Sequence, residues 1–67
     1  MNLGENIRKA RESAGMTQEE LANILGTTQI AISRWEHNNR TPNVITFGQL
    51  CSAIGVSADE LLEVKIS

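Results

Sequence analysis

Cysteine, histidine, aromatic residues and positive charge are all scarce in this chain, and each scarcity argues against a class of protein. Cys51 is the only cysteine, so no intramolecular disulfide can form and a thiolate metal site lacks ligands, which makes a reducing, cytoplasmic setting the expectation. One histidine, one cysteine and no tyrosine leave few groups to converge as general acid, base or nucleophile. The chain is therefore not expected to be an enzyme, and no metal or cofactor is expected. The longest apolar run is Ile30-Ala31-Ile32, far short of the roughly 20 residues that cross a bilayer. The N-terminus lacks a charged-then-apolar pattern, so neither membrane insertion nor export is expected. A net charge of -2 runs against the basic footprint usual for proteins that bind nucleic acid.

What is present reads as one globular domain over residues 1–67. Hydrophobic residues make up 40% and charged residues 21% of the 67 positions, enough for a core and too little bias for disorder. That length leaves no room for a second, ligand-sensing domain, so no small-molecule ligand is expected. A domain of this size buries only about 60% of its unfolded surface, which favours a partner subunit that covers more. The charge is also uneven. Arg8, Lys9, Arg11, Arg34 and Arg40 precede residue 41, while Asp59, Glu60 and Glu63 crowd the C-terminal end, so one end is free to face phosphates.

The pattern of caps and apolar periodicity predicts an all-α chain of five helices, over residues 3–14, 18–25, 29–37, 44–54 and 58–64. Asn2 with Glu5, Thr17 with Glu20, and Ser57 with Glu60 have the spacing of a capping box, in which two side chains satisfy backbone N–H groups that a helix start leaves orphaned. Gly15, Gly26 and Gly55 follow three of the periodic stretches as terminators. Leu3, Ile7, Ala10 and Ala14 share one helical face, as do Leu21 and Leu25, Ile32 and Trp35, and Phe47, Leu50, Cys51 and Ile54. With Met16, Val44, Val56 and Leu61 they are expected to form a single core.

The most informative stretch runs from Thr17 to Glu36. Two short helices that meet at a steep angle need a small residue at their contact, here Ala22, and a turn residue tolerant of positive φ, here Gly26. With Ile32 and Trp35 anchoring the second of these helices, Gln29, Ile30, Ser33 and Arg34 are left on its outward face. The stretch resembles the helix-turn-helix of the phage-repressor or Cro-like family, also called the xenobiotic-response-element family. The resemblance extends through Ile7-Arg8 and Arg11, Thr17-Gln18, Trp35-Glu36, Pro42, Ile54-Gly55-Val56-Ser57 and Glu60-Leu61-Leu62, and so covers about residues 3 to 62.

The resemblance implies a compact five-helix, lambda-repressor-like fold whose second and third helices form the helix-turn-helix. It also implies a sequence-specific transcriptional regulator that reads double-stranded DNA in the major groove with its third helix. Gln29 suits adenine N6 and N7, and Arg34 suits guanine or a phosphate. Ile30, apolar where the family is usually polar, is expected to pack on a thymine methyl, with a core position as the alternative. Ser33 completes the set of base contacts. Gln18 and Thr28 sit at helix starts that favour a phosphate, or serve as caps. Asn38, Asn39, Arg40 and Thr41 form a polar loop that either clamps the DNA backbone or is simply solvated. The family commonly has glycine just after the third helix, so Asn38 or Asn39 must take the left-handed conformation here. Arg11 and Glu36 match a structural ion pair of the family, while Arg8 and Lys9 serve phosphates or solubility equally well. Leu62, Val64 and Ile66 are expected to form a homodimer interface, because a palindromic operator needs two recognition helices about 34 Å apart. The alternative is an ordered domain with a loose tail after Leu62. Cro-like repressors and restriction-modification controllers are the stand-alone types of this size. A protein-interaction module of the same fold, such as an antitoxin-like or anti-repressor partner, is the reading from another class, and the acidic net charge keeps it open.

Overall fold

A computed structural model of the protein describes residues 2–63. Every helix in it starts where a short polar side chain can accept from the backbone N–H three residues on. Asn2 caps α1 (Leu3–Ser13), Thr17 caps α2 (Gln18–Leu25), Thr28 caps α3 (Gln29–Glu36), Asn43 caps α4 (Val44–Ile54) and Ser57 caps α5 (Ala58–Leu62). Each cap satisfies a donor that the helix geometry leaves unpaired and is worth about 1 kcal/mol. Thr17 with Glu20 and Ser57 with Glu60 close into full capping boxes. Asn2 makes only its half of one, because the Glu5 carboxylate turns instead to Arg8 and Lys9.

The core is assembled from all five helices. Ile7, Leu21, Ile32, Leu50 and Leu61 are the largest fully buried side chains, so α1, α2, α3, α4 and α5 each place one residue at the centre. Burying a side chain of this size contributes about 1.5–3 kcal/mol, and removing any one of them would open a hole shared by several helices. Ala22, Trp35, Cys51 and Ile54 complete the buried cluster, with Leu3, Ala10, Met16, Leu25, Phe47 and Val56 packed against it. Burial pushes the Cys51 thiol pKa up, which favours the neutral thiol and a packing role.

Two expected core residues are on the surface. Val44 is 83% exposed: as the first residue of α4 it has no preceding helical turn to bring it against the core, and Ile45 beside it is 72% exposed as well. Pro42, two residues earlier, is buried. Ala14 is the C-cap of α1 and is exposed, since the helix ends at Ser13. The other boundaries match the sequence expectation to within two residues. There is no strand among the described residues.

Candidate nucleic-acid interface

The connection between α2 and α3 is short because Gly26, at φ 69°, ends α2 in the left-handed conformation, and Thr28 then starts α3. Ala22, 3% exposed, lets the two helices approach closely. Eight residues make α3 about two turns long. Its inner side carries Ile32, Trp35 and Glu36, all buried. Its outer side carries Gln29, Ile30 and Arg34, all exposed, with Ser33 half-buried between the two sides. Ile30 is 64% exposed, so it is not a core residue.

A polar network runs beneath this face. Arg11 Nε donates to Glu36 Oε2 at 2.6 Å and Nη2 donates to Glu36 Oε1 at 3.1 Å, while Nη1 reaches the Met16 carbonyl at 2.7 Å. The two side chains are 10% and 1% exposed, so the pair is withdrawn from water. Its hydrogen bond to Glu36 raises the Arg11 pKa against the opposing cost of burial, helped by the charges of Glu36 and Glu12. Gln18 Nε2 donates to the same Glu36 Oε1 at 3.0 Å. A carboxylate only accepts, so the Gln18 amide must turn its oxygen outward. That oxygen accepts from Gln29 Nε2 at 3.4 Å. The network thus ends on a side chain of the exposed face.

The segment after α3 turns sharply. Asn38 adopts φ 61°, and the backbone N–H groups of Asn39 and Arg40 both donate to the Arg34 carbonyl, at 2.9 and 3.3 Å. Asn39, Arg40 and Thr41 are exposed. An open hollow of about 250 Å³ lies between α3 and this loop, walled in part by Arg34, Trp35, Arg40 and Pro42. The other cations among the described residues are engaged elsewhere: Arg8 and Lys9 face Glu5 and Glu12 across successive turns of α1, and Arg11 is bound to Glu36. Among the described residues Arg34 and Arg40 are the cations without an ion pair; Arg34 is on the outer side of α3 and Arg40 in the loop beside it, the two sharing this hollow. His37, the C-cap of α3, directs Nδ1 to the Ser33 carbonyl at 2.8 Å.

The geometry separates the expected site residues into groups. Gln29, Ile30 and Arg34 share an exposed face with Arg40 nearby. Thr28 accepts from the Ala31 N–H as a cap, at 3.1 Å, and keeps its own hydroxyl hydrogen. Gln18 has given one amide hydrogen to Glu36, and Asn38 has turned its amide toward α1. Leu62 is half-buried at the end of α5, whereas Val64 and Ile66 lie outside the described residues. Sequence reasoning missed Gly4, which sits against the end of α3: a Cβ there would be 2.5 Å from the Trp35 and Glu36 carbonyl oxygens. The only signal was a glycine inside a helical stretch, which commonly has a packing reason.

A helical pair joined by a tight glycine turn, with one helix exposed along a polar face, is the architecture of a helix-turn-helix protein, and comparisons with known proteins agree. A helix-turn-helix family model matches residues 7–61. The uncharacterized HTH-type transcriptional regulator y4dJ of Sinorhizobium fredii is 40% identical over 60 residues, which cover 90% of this chain and 78% of that protein. The P22 c2 repressor in complex with a synthetic operator superposes with a TM-score of 0.85 at 33% identity, over 91% of this chain and 92% of that one. The restriction-modification controller protein C.AhdI of Aeromonas hydrophila superposes with a TM-score of 0.83 at 25% identity, over 90% and 91%. The chain belongs to the helix-turn-helix family, with transcriptional regulators and repressors as its relatives. It spans 56% and 49% of two further relatives, which are longer proteins.

Proposed function

We propose that the protein is a sequence-specific DNA-binding regulator that lays the outer face of α3 in the major groove. The observation that carries this reading is the composition of that face: a carboxamide, an apolar side chain and a guanidinium, all exposed on a helix whose other side is locked into the core. Gln29 reads adenine through N6 and N7. Its amide hydrogen toward Gln18 leaves the second hydrogen for N7 and the oxygen for the N6 amino group. Ile30 packs on a thymine methyl, Arg34 takes guanine O6 and N7, and Ser33 contributes at the edge of the groove. Arg40 supplies the phosphate charge beside this face, with Asn39, Thr41, the Thr28 hydroxyl and the remaining amide hydrogens of Gln18 and Asn38 as weaker backbone contacts.

The placement of charge reconciles this function with a net charge of -2. Among the described residues, ion pairs within α1 and between α1 and α3 engage Arg8, Lys9 and Arg11, which leaves Arg34 and Arg40 to meet phosphates. Binding as a homodimer to a palindromic operator is part of the proposal, with the end of α5 from Leu62 onward as the surface that meets the second copy. Repression through operator occupancy follows the example of the P22 c2 repressor, and a controller role that of C.AhdI. Genomic neighbours of the gene separate these two: an endonuclease gene points to the controller and phage genes to the repressor.

The test is selection from a randomised duplex pool at two salt concentrations, with Gln29→Ala and Arg34→Ala beside the wild type. Enrichment of a palindromic site is expected, weakened by added salt and by about 1–3 kcal/mol in each variant. Weak, salt-labile binding without enrichment would replace this reading with the protein-interaction module, for which a partner would then be sought.

A further inference from the structure

We infer that Asn38 is a positioning residue for the recognition helix: its side chain pins the end of α3 to the first turn of α1 and so sets the angle at which Gln29, Ile30 and Arg34 are presented. The inference rests on the reading of α3 as the helix that contacts DNA.

Asn38 does two separate things. Its backbone, at φ 61°, makes the left-handed turn that ends α3, a task glycine would perform with less steric cost. Its side chain does what glycine cannot. Oδ1 accepts from the Gly4 N–H at 2.9 Å, and Nδ2 donates to Asn2 Oδ1 at 2.8 Å. Asn2 Oδ1 in turn accepts from the Glu5 N–H at 2.9 Å. The Gly4 and Glu5 N–H groups are first-turn donors for which α1 has no internal acceptor, so two bonded asparagines from distant parts of the chain satisfy both.

The amide orientations are forced. A backbone N–H only donates, so Gly4 fixes the Asn38 oxygen and Glu5 fixes the Asn2 oxygen. The Asn38 amino group is then left facing the Asn2 oxygen, a donor against an acceptor. Neither amide can flip without breaking this set.

The contact is close as well as specific. A Cβ on residue 4 would lie 2.5 Å from the carbonyl oxygens of Trp35 and Glu36 and 2.8 Å from Asn38 Oδ1, so the first turn of α1 rests directly on the last turn of α3. The positive end of one helix dipole meets the negative end of another. With only two turns, α3 has little stiffness from its own length. The Arg11–Glu36 pair holds it at one point. A second attachment two residues further on removes the freedom to pivot about the first, and reading bases demands placement within roughly 0.5 Å and 10–20°.

The test compares wild type, Asn38→Gly and Asn2→Ser on the selected duplex and on a scrambled duplex of equal length, well below the unfolding temperature, alongside hydrogen exchange at the Gly4 amide. Asn38→Gly keeps the turn and loses the clamp. Asn2→Ser keeps a cap for α1 but is too short to reach Asn38. In Asn38→Gly, Gly4 protection should be lost and the ratio of selected- to scrambled-duplex affinity should fall roughly 3- to 10-fold, the equivalent of one hydrogen bond, whatever the lost amide contact to the DNA backbone takes from both duplexes alike. Asn2→Ser should shift the specific-to-scrambled ratio the same way by less. An unchanged ratio in Asn38→Gly would overturn the inference whatever the variant's stability, as would equal loss on both duplexes or an unprotected Gly4 amide in the wild type. A wild type without sequence preference would remove the DNA reading itself and the inference with it, while Gly4 exchange would still report whether the clamp exists.

Discussion

The two ends of α3 are held by different means. At the C-terminal end a buried, bidentate ion pair joins Glu36 to Arg11, and Asn38 reaches across to Gly4. At the N-terminal end the ties are exposed and slight: the Thr28 cap within the helix and a 3.4 Å hydrogen bond from Gln29 to Gln18. The difference teaches how a short helix can be both fixed and available. The C-terminal end is locked to α1 through a desolvated ion pair, while the N-terminal end keeps its side chains in water with loose partners, which in the proposed function a base edge would replace.

The largest expected effect breaks the strong end. Glu36→Ala leaves the Arg11 guanidinium buried without its carboxylate and should destabilise the fold by about 3–5 kcal/mol, read from denaturant unfolding. Replacing both partners together by apolar residues of similar volume should cost far less than either single change, because no unpaired charge then remains. A loss for Glu36→Ala of the size of an exposed pair, below about 1 kcal/mol, would show that this end is not desolvated in solution. Next in size is Gly4→Ala, where the added methyl meets backbone oxygens that cannot swing aside. About 1–3 kcal/mol of destabilisation is expected, reduced somewhat by the better helix propensity of alanine, and the denaturation midpoint checks it.

These two ends also differ in how far the sequence disclosed them. The helix-turn-helix was legible because its signals are local: Thr17 and Glu20 for the capping box, Gly26 for the turn, and Ile32 and Trp35 for the buried side. The exposed face of α3 followed from the same periodicity. Val44 was misassigned because periodicity reports which side of a helix a residue occupies and not whether another element lies beneath that end. The link from Asn38 to Gly4 spans 34 positions, and no local pattern encodes it. The family resemblance implied a left-handed residue at Asn38 or Asn39 and said nothing of where its amide would point.

Smaller effects sharpen the weak end. Thr28→Ala removes the α3 cap and should cost about 1 kcal/mol, whereas Thr28→Ser, which keeps the acceptor, should be nearly neutral. The smallest effect concerns pH. Hydrogen bonds from the Thr17 backbone and side chain lower the Glu20 pKa, so the folded state holds this carboxylate charged more readily than the unfolded chain does. Its stabilising contribution is therefore present above the ordinary glutamate range and lost as the pH falls through and below it. Acid titration of stability should show a shallower decline in Glu20→Gln than in the wild type. An identical decline would mean that the box contributes nothing to the pH dependence.

The central claim is that the free face of α3 touches base edges, and Ile30 tests it most directly because its role is chemically narrow. Each thymine of the selected operator is replaced in turn by deoxyuridine, which deletes only the methyl group, and the affinities of wild type and Ile30→Ala are measured. The account predicts that one thymine position weakens wild-type binding when its methyl is lost and that Ile30→Ala shows no further loss at that position. Equal losses in both proteins at every position would contradict it.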